Sequence, residues 1–339
     1  MQQISIIIPC RNEAKHIAAC IESVLQCGFP LENIKEFILC DGNSTDETAA
    51  IVSAFAKQYP FIQLLNNPEQ TVPFALNRAI GKCSAPVIVR FDAHSTMQKN
   101  YINYALEVLA NDTTVGNVGG IVVNQYENDT AACIAAAMQS RFGVGNASFR
   151  IADSDGYVDT VPFGIFRREI FETVGIYDTM LTRNQDDELN YRITQAGFNI
   201  FLDRRIKANY TVRGSLTQLW RQYFQYGYFK VLVNRKHQTV TSVRQLAPML
   251  FVAGVLLGAI LSVVFPIFLL PFLSVLTIYT LAGLVSAAQS EVAKQDFGRI
   301  FTIFRCFLIL HFSYGLGYWK GVFDFLVLRK TKPDSVQQS

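Results

Sequence analysis

From Ile4 to about Tyr126, short and mostly apolar runs alternate with segments of helical period. ISIII, opening at Ile4, precedes a helical pattern from Glu13 to Gln26; EFILC, ending at Cys40, precedes one from Asp46 to Gln58. FIQLL precedes a helix opening at Pro73, and VIVRF, ending at Phe91, precedes one near Lys99. Ser44 and Thr45 stand where the second helix needs a cap. Runs that leave no face for water predict a mostly parallel sheet with helices on both sides, an α/β fold. Ligands of such sheets bind beyond the carboxyl ends of the strands. Three polar clusters follow the strands there: Cys10 to Glu13, Asp41 to Asp46, and Asp92 to His94.

From about Asn111 to Arg213 the rhythm is mixed. The pattern predicts strands at Val115–Val123 and Tyr157–Phe166, helices near Arg168–Val174 and Asp186–Gln195, and a short strand at Asn199–Leu202. SLTQLWRQYFQYGYFKVLVNRKH then reads as an aromatic-rich amphipathic helix. From Leu246 to Gln289 no residue is charged, enough for two helical spans of roughly 20 residues each. Ile300–Leu328 is apolar too but holds Arg305, His311, Lys320 and Asp324, so it either spans or lies in the interface. The expected organisation is 1–125 and 126–240 as two halves of a catalytic domain, 246–328 as a membrane domain, and 329–339 as a basic tail. Arg235, Lys236, His237 and Arg244 before the first span, and Arg329, Lys330 and Lys332 after the last apolar stretch, put both flanks in the cytosol and require an even number of crossings.

Composition changes this picture little. Half of the 339 residues are hydrophobic, an excess that the stretch after Leu246 accounts for. A net charge of +3, with no basic tract and no zinc-finger spacing, argues against nucleic acid as a partner. The cysteines (Cys10, Cys20, Cys27, Cys40, Cys83, Cys133, Cys306) are odd in number and scattered, which fits reduced core thiols better than a disulfide framework. No secretory signal stands before ISIII, so the N-terminal domain is expected to stay cytosolic.

Asp92 and His94, two apart in a turn, can face one cation. A carboxylate and an imidazole, with the remaining positions left to water and a substrate diphosphate, suit Mn2+ or Mg2+; the plainer reading makes Asp92 a turn cap and His94 a surface residue. Asp41 leaves a buried strand where a base or ribose can sit, and Gly42 lets the chain turn there. Asp46 either touches the nucleotide or caps its helix. Asp186, Asp187 and Glu188, with Arg192 one turn later, read as a solvated helix face or as the source of a general base. Gln218 and Arg221 lie in a helix that is either a membrane-surface element or part of an acceptor groove near a diphosphate. No GxGxxG follows the first strand, which disfavours a hydride-transferring dinucleotide enzyme.

IIIPCRNE, CDGNSTDET, FDAHS, QDDELNYR and QLWRQ, in that order along about two thirds of the chain, resemble the inverting nucleotide-sugar glycosyltransferases of family 2, whose fold is called GT-A. The resemblance implies donor contacts at Pro9, Arg11, Glu13, Asp41 and Asp92, with Asp41 as the nucleotide-binding acid. It implies metal ligation by Asp92 and His94 at the outer positions of D-x-D, and a general base at Asp186. Two positions depart from the pattern, His94 in place of Asp and Gln185 in place of Glu. DAH, YFQYG and HFSYGLGYWKG resemble the succinoglycan-type glucosyltransferases of bacterial exopolysaccharide assembly. Gln222 stands where processive synthases carry tryptophan, which favours transfer of a single sugar.

The resulting expectation is a multi-pass enzyme of the inner (plasma) membrane that uses Mn2+ or Mg2+. It would move a sugar, glucose first among the candidates, from a UDP-sugar to a polyprenyl-diphosphate-linked glycan among membrane lipids. The rivals are a polyprenyl-phosphate sugar synthase and a catalytically silent scaffold that keeps the nucleotide fold.

Overall fold

The structure, a computed structural model, describes residues 2–145, 148–151 and 154–333. In chain order the elements are β1 (Ile4–Cys10), α1 (Ile17–Leu25), β2 (Ile34–Asp41), α2 (Thr48–Gln58), β3 (Ile62–Asn66), α3 (Val72–Ile80), β4 (Val87–Arg90), β5 (Ser95–Met97), α4 (Tyr101–Asn111) and β6 (Val115–Gln125). There follow α5 (Asp129–Met138), the single turns α6 (Arg141–Val144) and α7 (Ser148–Ile151), β7 (Gly156–Tyr157), β8 (Ile165–Arg167), α8 (Arg168–Val174), α9 (Gln185–Gln195) and β9 (Asn199–Thr211). The last elements are α10 (Leu216–His237), α11 (Ala247–Val264), α12 (Leu269–Ala288), α13 (Glu291–Gln295) and α14 (Gly298–Gly321), which runs into a π-helical turn at Val322–Val327. The described residues of Met1–Asn124 and Ser148–Thr211 form one compact unit, and those of Gln125–Ala147 and Val212–Gln337 a second.

In the first unit a single sheet runs β3-β2-β1-β4-β8-β6-β9-β5, with β7 on β9. β1 pairs in parallel with β2 and β4, and β2 with β3; antiparallel pairing enters where β8 meets β4 and β6. Both faces of the parallel half are covered: Ile6, Ile7, Ile8, Phe37, Ile38, Leu39, Val87, Ile88 and Val89 have no exposure, each contributing roughly 1.5–3 kcal/mol of apolar burial. Register places Cys10 opposite Asp41, Asp41 opposite Asn66, and Ile7 opposite Arg90. The polar residues that follow these strands therefore share one edge.

Four details differ from the sequence expectation. Tyr157–Phe166 splits into β7 and β8, because Pro162 has no N–H for a ladder and Phe163 takes a left-handed φ of 51°. The strand expected at Asn199–Leu202 continues to Thr211; its alternation resumes after the adjacent exposed Arg204 and Arg205 and is hidden by that interruption. Ser44 and Thr45 do not cap α2. The Asp46 carboxylate does so, accepting from the Thr48 N–H at 3.0 Å. α5 has no polar stripe to mark it, since Ala131 to Ala135, Ala137 and Met138 are all buried.

In the second unit, α10 and α14 touch backbone to backbone. A Cβ at Gly227 would lie 2.0 Å from the Tyr314 carbonyl oxygen, and one at Gly317 would lie 2.1 Å from that of Phe224, the close approach that small residues permit. α5 is tied to the start of α14 by Asp129 and Arg299 at 2.6 Å. Val243–Val264, Pro266–Ala288 and Gly298–Val327 are each long and apolar enough to cross a membrane, but their packing differs. α11 and α12 form a hairpin whose far half is bare, with Val263 85%, Ile267 81% and Leu270 75% exposed. Along α14, Phe304 meets Gly283, His311 and Phe312 meet Phe251, Gly315 meets Pro248 and Trp319 meets Met249. From Phe304 to Trp319 a helix advances roughly 22 Å, yet its partners on the hairpin stay within Pro248–Val252 and Tyr279–Gly283. α14 therefore crosses the open end of the hairpin and does not run beside it.

Candidate active site

At the C-terminal edge of the parallel strands, two loops lock to each other. Asn12, with φ 54°, donates its backbone N–H to Ser44 Oγ at 2.8 Å, and its side-chain oxygen accepts from the Thr45 N–H at 2.8 Å. Asp41, the last residue of β2, is buried and accepts from the Ser44 N–H at 3.0 Å and from the Ser44 hydroxyl. Gly42 leaves room for the neighbouring loop: a Cβ there would stand 3.3 Å from the Arg11 side chain. Pro9 lies opposite Cys40 in the β1–β2 register, and Arg11 is exposed on the loop beyond. Burial first, then the charge of Asp41, pushes the Cys10 thiol up and keeps it protonated beneath this loop. Both Asp46 carboxylate oxygens are engaged locally, by Thr48 and by the Ala14 N–H at 3.0 Å, so Asp46 acts as a helix and loop cap.

The turn after β4 carries Asp92 and His94. His94 Nδ1 lies 3.2 Å from Glu13 Oε1, which draws the loop after β1 to this turn. Asp92 Oδ1 is 2.8 Å from Arg90 Nη2, and the same nitrogen is 3.4 Å from Asp186 Oδ2 at the start of α9. Pro9, Arg11, Glu13, Asp41, Asp92, His94 and Asp186 thus all belong to the first unit, and the structure joins Glu13 to His94 and Asp92 to Asp186. Gln218 and Arg221 belong to the second unit. There Gln218 Oε1 accepts from the Gly214 N–H at 3.2 Å while Ser215 Oγ accepts from the Gln218 N–H, a capping arrangement at the start of α10.

The charge run on α9 is no solvated face. Glu188 has no exposure and holds Arg192 in a two-pronged pair, 2.9 Å to Nε and 2.8 Å to Nη2. Arg192 also donates to the carbonyls of Val174, Gly175 and Ile176, closing the end of α8. Asn190, on the same helix, accepts from Asn117 Nδ2 of β6 at 2.8 Å and donates to Thr160 at 2.8 Å. These bonds fix the helix that presents Asp186. Loss of water raises the Asp186 carboxyl above the ordinary aspartate range; Arg90 opposes the rise and the Asp92 charge adds to it. Tyr177, buried beside Asp186, is held neutral by burial and then by the charge of Asp186.

Arg90, which motif reading passed over, is where Asp92 and Asp186 meet. Its signal was in plain sight: an arginine closing an otherwise aliphatic strand. Burial works against its charge, and Asp186 and Asp92 more than offset that.

Parallel strands whose carboxyl ends lead to Asp41 and, one turn beyond β4, to Asp92, faced by an acid delivered from α9, make this a GT-A glycosyltransferase fold. The chain belongs to glycosyl transferase family 2, whose sequence model matches residues 5–175. It is 29% identical over 326 residues to succinoglycan biosynthesis protein ExoA of Rhizobium meliloti (strain 1021), covering 94% of this chain and 95% of that protein. It is also 29% identical over 243 residues to the dolichyl N-acetyl-alpha-D-glucosaminyl phosphate 3-beta-D-2,3-diacetamido-2,3-dideoxy-beta-D-glucuronosyltransferase of Methanococcus voltae, covering 70% of this chain and 75% of that one. Among solved structures, the mannosyltransferase PcManGT from Pyrobaculum calidifontis, in complex with GDP-Man and Mn2+, superposes with a TM-score of 0.59 at 18% identity, over 95% of this chain and 88% of that one.

Proposed function

We propose that this glycosyltransferase transfers a sugar from a UDP-sugar donor to a hydroxyl of a polyprenyl-diphosphate-linked glycan, with inversion, in exopolysaccharide or cell-surface polysaccharide assembly. The observation that carries this reading is the meeting of Asp92 and Asp186 at Arg90, which sets a carboxylate of the strand edge beside a raised, proton-accepting one. Asp41 binds the nucleotide, with Pro9, Arg11 and Glu13 lining the donor side. Asp186 takes the proton of the acceptor hydroxyl as its oxygen attacks the anomeric carbon, and UDP leaves from the opposite face. A carboxyl shifted upward is suited to this, because a base works best with a pKa near the operating pH.

The donor set fits a divalent ion. Asp92 and His94 supply a carboxylate and an imidazole from one turn with Glu13 next to them, too few ligands for a protein-only site and the right kind to be completed by diphosphate oxygens. Mn2+ or Mg2+ held there by Asp92 and His94 would neutralise charge on the leaving diphosphate. The presence of Mn2+ with a nucleotide sugar in the Pyrobaculum calidifontis structure supports this.

The bare α11–α12 hairpin is read as two membrane crossings, with α14 and α10 in the interface. Arg235 Nη1 donates to the Lys330 carbonyl at 2.7 Å, so the end of α10 and the segment after α14 lie together, as an even number of crossings demands. The names of the succinoglycan and dolichyl-linked relatives favour a lipid-linked glycan as acceptor.

The test is incubation of membranes with labelled UDP-glucose, other UDP-sugars and GDP-mannose, with Mn2+ or EDTA, followed by identification of the labelled lipid. Metal-dependent labelling of a lipid-linked glycan from a UDP-sugar is expected. Labelling only from GDP-mannose would overturn the donor assignment, full labelling in EDTA the metal assignment, and no labelling with any donor would leave the silent scaffold as the reading.

A further inference from the structure

Two carboxylates brought from distant parts of the chain meet at a single atom. Arg90 is the last residue of β4, and its side chain is 3% exposed; its Nη2 lies 2.8 Å from Asp92 Oδ1 and 3.4 Å from Asp186 Oδ2. The ring of Phe163 lies 5.8 Å from the guanidinium carbon. Phe163 itself sits at a φ of 51°, in the left-handed region that costs a bulky residue free energy, and its carbonyl accepts from the Tyr101 hydroxyl at 3.1 Å. The strand does not need an arginine. Val87, Ile88 and Val89 are aliphatic and unexposed, and a fourth aliphatic residue would finish the strand without burying a charge.

We propose that Arg90 is a positioning residue, whose one guanidinium nitrogen holds the carboxylates of Asp92 and Asp186 in a common frame. The group on the leaving side and the proton acceptor on the attacking side are thereby set together. This rests on the roles given to Asp92 and Asp186 above. Without a cation between them, two like charges in a partly desolvated site push apart. The planar guanidinium holds Nη2 at a fixed position on a rigid frame, so it sets where both ion pairs form as well as supplying charge. A lysine ammonium supplies the charge on a flexible stem and lacks that plane.

The experiment uses the full-length protein in detergent, with Arg90→Lys as the principal variant because it keeps the charge that Asp92 and Asp186 need in order to fold. Arg90→Gln is its neutral companion. Three quantities are measured: UDP affinity without metal, Mn2+ affinity of the UDP-loaded protein by electron paramagnetic resonance, and steady-state kcat and KM. Arg90→Lys should keep its melting temperature and its metal-free UDP affinity, since Asp41 and Ser44 are untouched. It should bind Mn2+ about threefold or more weakly and lose about tenfold or more in kcat, with donor KM within about twofold. Arg90→Gln should lose more of both.

A folded Arg90→Lys with Mn2+ affinity and kcat within about twofold of wild type would overturn the proposal. So would tighter Mn2+ binding in Arg90→Gln, which would make Arg90 only a repelling charge. Failure of the underlying reading shows elsewhere, in the Arg90-intact protein: UDP-loaded wild type that binds no Mn2+, or an Asp92→Ala protein that binds it normally, removes the role of Asp92 itself.

Discussion

Arg192→Ala tests whether the scaffold that presents Asp186 is held as the geometry implies. The substitution strips Glu188, which has no exposure, of a bidentate partner at 2.9 and 2.8 Å, and takes donors from the carbonyls of Val174, Gly175 and Ile176. Removing one partner of a buried pair typically costs about 3–5 kcal/mol, because the remaining charge keeps its desolvation penalty. For a unit of this size about 1 kcal/mol moves the melting temperature by roughly 2–4 °C, so a drop on the order of 10 °C is expected. Differential scanning calorimetry in detergent reads it, with attention to the transition of the first unit. The double variant Glu188→Gln/Arg192→Met removes both charges, so it should be less damaged than the sum of its parts and recover part of the loss. A melting temperature for Arg192→Ala within about 2 °C of wild type would refute the reasoning, as would a double variant no better than the single.

Asp186→Asn should lower kcat by about 10²- to 10⁴-fold with nearly unchanged donor affinity, and Asp187→Asn far less, as steady-state kinetics will show; equal small losses would remove the catalytic role of Asp186, and a polyprenyl-phosphate acceptor would tolerate Asp186→Asn. Because Asp186 must be ionised to accept a proton and its pKa is raised, kcat should fall as pH drops, with an acidic limb above the ordinary aspartate range that is absent in Asp186→Asn. Asp41→Ala should weaken UDP binding by about 1–3 kcal/mol in a calorimetric titration, and equal affinities would make Asp41 structural. Gly317→Ala puts a carbon 2.1 Å from the Phe224 oxygen and should lower the melting temperature through about 1–3 kcal/mol of overpacking. Gly254→Ala, which meets nothing within 4 Å, should not; equal melting temperatures for the two would show that α10 and α14 do not pack through their backbones.

The sequence by itself determined the strands and what stands at their ends. VIVRF followed by DAH, and EFILC followed by DGNSTDET, are local patterns: apolar runs too short and too dry to be anything but covered strands, and such strands open their carboxyl ends to ligands. The apolar stretches after Leu246 were equally legible, because composition alone decides whether a segment tolerates hydrocarbon. Length and composition could not say how Gly298–Val327 packs; that its partners on the α11–α12 hairpin are confined to one end is a long-range fact. Local pattern also hid the continuation of β9 past Arg204 and Arg205, whose adjacent exposure breaks the alternation, and it hid α5, which is buried nearly all round. The charge run at Asp186–Glu188 was ambiguous for a related reason. Acids on a helix look solvated until the fold shows one of them buried against Arg192 and another facing Arg90. Arg90 makes the point most directly: its meaning depends on Asp92 beside it and on Asp186, distant in sequence, and only the tertiary structure brings the two carboxylates to one nitrogen.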